Sequence, residues 1–268
     1  MDVYLCQVRS NISCGACCGL YNVPDPSRNA LEKMLIRRTE IFAGVPRTVT
    51  GIDDFRMKIE GWTAPDRPFP RFHHCPFLGM IGGASGCVGC LLHPAAPGNN
   101  GVDWRGLSYY GGMACRTYFC PTYRHLPAVQ LEILRASMDH WHPFGLIVTE
   151  RKLLAAFFQE LENRLQRPVR QEDFPPASQA AGLFQEFAAL KMNWPHRRAD
   201  APGPCNYFFE NGEYDRPPVQ RTGEAIPVSR YEDILRELDS AIASPDELFA
   251  AEQRLERLFS MLRASLMK

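Results

Sequence analysis

Apolar residues recur at helical spacing most regularly near the C-terminal end. There Leu248, Leu255, Leu258, Leu262 and Leu266 form one stripe of a helix predicted over 245–266. Ser244 with Glu247 fits a capping box in front of it, and Pro245 suits its first turn. Similar patterns predict helices over 127–140, 149–166, 178–193 and 229–243, the last opened by Ser229 with Glu232. Near the N-terminus, Pro26 opens a helix whose apolar face is Leu31, Met34, Leu35, Ile41 and Phe42, running to about Ala43. Residues 46–72 read as mixed short segments with a hairpin around Thr50-Gly51, and 207–214 reads as a second hairpin with an Asn211-Gly212 turn.

Residues 73–120 lack this periodicity. Turn formers dominate there, among them Gly82-Gly83, Pro94, Pro97-Gly98 and Gly111-Gly112. Such a segment has too little regular apolar surface to fold unaided, which makes a bound metal a plausible staple. The expected organisation is therefore a Cys-rich metal-binding domain over 1–125 and a helical region over 126–268 packed on it. The fold class expected is mainly α, with irregular metal-stapled loops and a few short strands.

Composition narrows the functional classes. The 268 residues include 30 Lys/Arg and 30 Asp/Glu, so the formal net charge is zero. A nucleic-acid partner is not expected, because phosphate binding calls for a basic excess. No run of about 18 apolar residues suggests a membrane span. The opening segment has neither a basic stretch nor an apolar core of a secretion signal, so a cytoplasmic location is expected. Residues 1–125 carry 13 basic and 9 acidic side chains, a surplus suited to offsetting negatively charged thiolates.

Ten cysteines change the picture most, nine of them within the first 120 residues. In a reducing compartment such a cluster points to metal or redox chemistry rather than a disulfide framework. Three groupings stand out. They are Cys14-Gly15-Ala16-Cys17-Cys18, then Cys75-Pro76-Phe77-Leu78 followed by Cys87-Val88-Gly89-Cys90, then Cys115 and Cys120 before Pro121. A Cys-x-x-Cys turn lets two sulfurs face one ion at about 2.3 Å, and soft thiolates favour zinc or iron–sulfur over magnesium or calcium. Adjacent side chains usually diverge and rarely bind one mononuclear ion, so Cys17 and Cys18 are expected to serve two neighbouring centres, or one ligates while the other packs. The candidate ligands are Cys14, Cys17, Cys18, Cys75, Cys87, Cys90, Cys115 and Cys120, enough for two four-thiolate sites or for one site with spare thiols. Cys6, His74, His93 and Arg116 are candidates for further ligation or for a supporting place around the metal.

These motifs in this order resemble the bacterial CxxCxxCC cysteine-cluster family (YkgJ-like), described as a putative zinc- or iron-chelating domain. The resemblance covers roughly residues 10–125. Asn11 stands where that family often has a further cysteine, with Cys6 as its candidate replacement. Cys90 and His93 take the places of a Tyr and an Arg, and a long insertion separates Pro94 from Cys115. A related cluster occurs in flagellin lysine methylase, where an iron–sulfur centre is implied.

The function expected is metal binding by a multi-cysteine centre, either an iron–sulfur cluster of the [4Fe–4S] type or zinc, in one or two centres. A metal-dependent enzyme of methylase or redox type is the alternative by analogy, and metal trafficking or sensing is a third. A protein or small-molecule partner is left open. The Gly82–Gly86 stretch lacks the Lys-Ser/Thr of a phosphate loop, and no Gly-x-Ser-x-Gly or His-Glu-x-x-His occurs. His140 and His142 are expected to close a helix before Pro143.

Overall fold

A computed structural model describes residues 3–62, 67–81, 86–207, 213–214 and 216–267. It is about 51% helical with a few short strands, so the protein is mainly α with minor β. In chain order the elements are β1 (Gln7–Arg9), β2 (Ile12–Ser13), α1 (Arg28–Ala43), α2 (Val49–Trp62), β3 (Leu78–Met80) and β4 (Val88–Cys90). They continue with α3 (Gly111–Thr117), α4 (Pro121–His125), α5 (Ala128–Ser137), α6 (Trp141–Val148), α7 (Arg151–Leu165) and α8 (Gln179–Asn193). The last are β5 (Gln220–Arg221), α9 (Glu232–Glu237), β6 (Ala241–Ile242) and α10 (Pro245–Leu266). No helix among the described residues is long and apolar enough to cross a membrane.

The chain divides into two compact units. One comprises residues 4–120 with 139–145. Its α1 is capped by Ser27, whose hydroxyl accepts from Ala30 N, and it buries Leu31, Leu35 and Phe42. The Phe42 ring meets Phe55 of α2 edge-on at 5.0 Å, and Phe55 stacks on Phe77 at 5.8 Å. This aromatic column seats the chain between Cys75 and β3 against the two helices. Thr39 of α1 receives the Met80 N–H at 2.7 Å, which ties the same helix to the β3–β4 hairpin. In that antiparallel hairpin Leu78 faces Cys90 and Met80 faces Val88.

Residues 49–62 are the main local departure from the sequence expectation. The segment forms one helix rather than a hairpin, because Ile52, Phe55 and Ile59 share a buried face. Packing there overrides the strand preference of Val49 and Thr50. Gly51 sits so close to the Pro46 carbonyl that a Cβ would lie 2.5 Å from its oxygen, so the glycine marks a close approach rather than a turn. His140 and His142 likewise flank the start of α6, not a helix end. His142 Nε2 lies 2.8 Å from the Pro26 carbonyl oxygen, and the Tyr21 hydroxyl donates to the His142 carbonyl.

The other unit holds residues 121–138 and those from 146 onward. Phe157 of α7 meets Phe184 and Phe187 of α8 at 4.8 and 4.5 Å and Phe259 of α10 at 5.5 Å. The leucine stripe of α10 is buried through Leu248, Leu255, Leu258 and Leu262. Helix 229–243 is shorter than its pattern suggests. Asp239 takes a left-handed conformation, and Ala241–Ile242 leaves as a strand to pair in parallel with Gln220–Arg221. The segment predicted over 127–140 ends at Ser137. Within this unit Lys191, Glu150, Arg216 and Asp239 form a buried chain of ion pairs. The Asn-Gly hairpin expected over 207–214 lies largely outside the described residues, as does most of the Gly82–Gly86 stretch.

Candidate metal centre

All nine cysteines of the N-terminal segment fall in the first of these units, and backbone pairing brings distant ones together. The β1–β2 hairpin lines Gln7 up with Ser13. Directly beside that pair, Cys14 N donates to the Cys6 carbonyl at 2.8 Å. A single 3₁₀ turn over Ala16–Cys18 follows, and Ala16 N points at the Cys14 sulfur at 3.4 Å. Near Cys6, the Tyr4 ring meets that of Phe119 at 5.8 Å, which carries Cys120 toward the same hairpin. The electrostatics agree. Burial of its thiol, with the neighbouring Cys17 and Cys120 thiols adding to it, pushes Cys6 up to about 12 although the residue as a whole is exposed. Cys14 is raised by burial first, then by Cys17, Cys6 and Cys120.

A second set forms around Cys18. Its carbonyl accepts the Cys75 N–H at 2.8 Å. Leu91 N donates to the Phe77 carbonyl at 2.8 Å, closing the β3–β4 hairpin so that Cys90 lies near Cys75. Cys115 on α3 lies with its sulfur 3.1 Å from the Ser108 hydroxyl. Burial raises Cys75 to about 12, helped by Cys90 and Cys115 and opposed by the Phe77 amide and Arg38. Cys90 rises to about 11, again mainly through burial, while amides of Leu92 and His93 donate to it and favour its thiolate. Cys17 and Cys18 join the two sets. A hydrogen bond between their thiols lowers Cys17 and raises Cys18, whose other thiol neighbours are Cys75 and Cys90.

Cys87 stands apart. Its thiol donates to Gln7 Oε1 at 3.1 Å. The tight turn that its spacing to Cys90 suggests is not formed, because residues 88–90 are extended, and alternation in a strand sends residues three apart to opposite faces. Cys205 is buried in the other unit, its thiol turned to the Leu146 carbonyl.

Both ring nitrogens of His74 are engaged, Nδ1 with the Gly19 carbonyl at 2.7 Å and Nε2 with Arg38 Nη2 at 2.9 Å. Burial, then the Arg38 charge, holds its pKa down to about 3, so the ring is neutral, donating from Nδ1 and accepting at Nε2. His93 accepts the Ala95 N–H at Nδ1. Arg116 pairs with Asp103 at 2.6 Å, and Arg105 pairs with the same carboxylate at 2.7 Å.

Arg38 and Arg105 are the members that the sequence reading missed, since neither lies within a cysteine motif. Arg38 is buried on α1 and donates to the Cys75 carbonyl and to His74, with no carboxylate partner among the described residues. Burial lowers it to about 10, and the opposing charge is the Cys75 thiol. A buried cation without a carboxylate is compensated if the neighbouring sulfurs are anionic. Arg105 likewise faces Cys90 and Cys115. Beside Arg38 lies a cavity of about 440 Å³ lined in part by Val23, Lys33, Met34, Arg37, Trp62 and Arg67.

The donor set fits a soft metal: eight thiols from well-separated stretches of chain, amides aimed at the sulfurs of Cys14, Cys17, Cys75 and Cys90, and Arg38 or Arg105 near Cys75, Cys90 and Cys115. No three His, Cys, Asp or Glu side chains among the described residues are already closed on a common point. Cys6, Cys14, Cys18, Cys75 and Cys90 have raised proton affinity while Cys17 is lowered, and ligation would replace the protons of the raised thiols. No family model, curated protein or solved structure matches the chain.

Proposed function

We propose that this is a cytosolic metal-binding protein whose N-terminal cysteines hold either an iron–sulfur cluster of the [4Fe–4S] type or zinc. The observation that carries the reading is the gathering of eight thiols around the Cys17–Cys18 pair, with Arg38 buried beside them and lacking a carboxylate. Thiolates bound to a metal would supply the missing negative charge and satisfy the amides that point at sulfur. The resemblance to the CxxCxxCC cysteine-cluster family points the same way.

A second reading, an enzyme using the centre on a substrate, has one observation in its favour. The cavity beside Arg38 combines an aromatic face with several cations and would suit an anionic small molecule. Analogy with flagellin lysine methylase adds nothing more specific than a reaction class.

Anaerobic purification, followed by iron, sulfide and zinc analysis and a visible spectrum, tests the proposal. Iron with matching sulfide and broad visible absorption identifies a cluster, while stoichiometric zinc in a colourless protein identifies the zinc form. A folded chain that retains neither, and takes up neither on anaerobic reconstitution, overturns it.

A further inference from the structure

We infer that the cysteines form two separate four-thiolate sites, Cys6, Cys14, Cys17 and Cys120 making one and Cys18, Cys75, Cys90 and Cys115 the other, with Cys87 in neither. This rests on the proposal above that the thiols hold metal, and it assigns ligands where that proposal names only a centre.

The division follows from how the backbone is held. Cys14 is anchored to Cys6 by the hydrogen bond beside the β1–β2 hairpin, and Tyr4 against Phe119 brings in Cys120. Cys75 is anchored to Cys18 by a different hydrogen bond, and the β3–β4 hairpin adds Cys90. Trp104 N donates to the Leu92 carbonyl at 3.1 Å, tying the turn that leads to Ser108 to the end of β4, and the Ser108 hydroxyl lies 3.1 Å from the Cys115 sulfur, which places the α3 cysteine with this second set. Each set thus has its own anchoring bonds, while the two hairpins are joined by Gln7 Nε2 donating to the Val88 carbonyl at 2.8 Å and Val88 N donating to Ser13 Oγ at 2.9 Å, and Cys17 and Cys18 are adjacent in one 3₁₀ turn. Gly19 closes that turn in a left-handed conformation, and the carbonyl of Cys18 is already committed to the Cys75 N–H.

Coordination chemistry supports the same count. A tetrahedral zinc or a four-iron cluster takes four protein thiolates, so eight converging sulfurs exceed what one such centre can use. The two sets supply four each. Adjacent Cα atoms lie about 3.8 Å apart, so centres ligated by Cys17 and Cys18 would be close neighbours. For iron–sulfur clusters that is an arrangement for passing electrons from one to the other.

The test uses the full chain, loaded anaerobically either with zinc alone or with iron and sulfide. Metal is measured per folded chain after size exclusion, with circular dichroism as the check on fold. Paired substitutions remove half of one set: Cys6→Ser with Cys120→Ser, or Cys90→Ser with Cys115→Ser. Each pair should keep about half of the wild-type metal, the two pairs together should abolish it, and Cys87→Ser should keep all of it. Should one pair not fold, Cys14→Ser or Cys75→Ser alone probes the same set. Loss of all metal from either pair, or loss from Cys87→Ser, overturns the two-site assignment while leaving metal binding intact. A wild-type chain that takes up no metal sinks the underlying proposal instead.

Discussion

Cys75 donates its backbone N–H to the carbonyl of Cys18 at 2.8 Å, so two cysteines from different motifs are joined through their main chains. A main-chain bond does not depend on the protonation of the thiols. It fixes the relative placement of the two backbone segments, which would lower the ordering cost of the proposed ligation.

Gly19, next to Cys18, should be intolerant of substitution. Its φ is +77°, and a Cβ there would lie 2.0 Å from the His73 carbonyl oxygen. Gly19→Ala is expected to cost about 3 kcal/mol from left-handed strain plus the backbone clash. It should also lower the proposed metal retention by displacing the 73–75 segment. Gly182→Ala is the contrast, since that helix position is open and the change should stabilise by about 0.5–1 kcal/mol. Urea midpoints of the two variants, measured beside the wild type, check both statements.

Arg38→Gln should weaken the metal centre without touching a ligand. The guanidinium is buried against Cys75 and holds His74 in one tautomer. Losing a supporting group of this kind typically lowers metal affinity about 10- to 100-fold. Competition against a graded chelator should show the shift, and an unchanged midpoint would show that Arg38 serves the fold alone.

Lys191 predicts a pH dependence in the other unit. Burial first, and then Arg216, lower its pKa from 10.5 to about 8, against the pull of Glu150. Between those two values the unfolded chain binds more protons than the folded one, so stability rises with pH there and is lost again as pH falls to about 8. Lys191→Met should lack this rise. At neutral pH it should also cost about 3 kcal/mol, because it removes a partner from the buried Glu150. Denaturant unfolding of both proteins at several pH values between 8 and 10.5 measures the difference.

Much of the fold was legible in the sequence wherever one helix face sufficed. The stripes of α1 and α10, the cap at Ser244 and the Pro245 start are local patterns with local consequences. The mainly α character followed from them. The helix at 49–62 was missed because strand-forming Val49 and Thr50 with Gly51 outweighed the i, i+3, i+7 spacing of Ile52, Phe55 and Ile59, whose burial decides the segment.

At the candidate centre the sequence by itself determined the chemistry: soft thiols, their spacing and the presence of a vicinal pair. Only the tertiary structure shows which cysteine-bearing segments lie side by side. It drew Cys6 in through a hairpin, left Cys87 on the far side of a strand, and supplied Arg38 and Arg105 from elsewhere in the chain. Side-chain type is fixed residue by residue, whereas which sulfurs meet depends on hydrogen bonds and packing between stretches of chain far apart in the sequence.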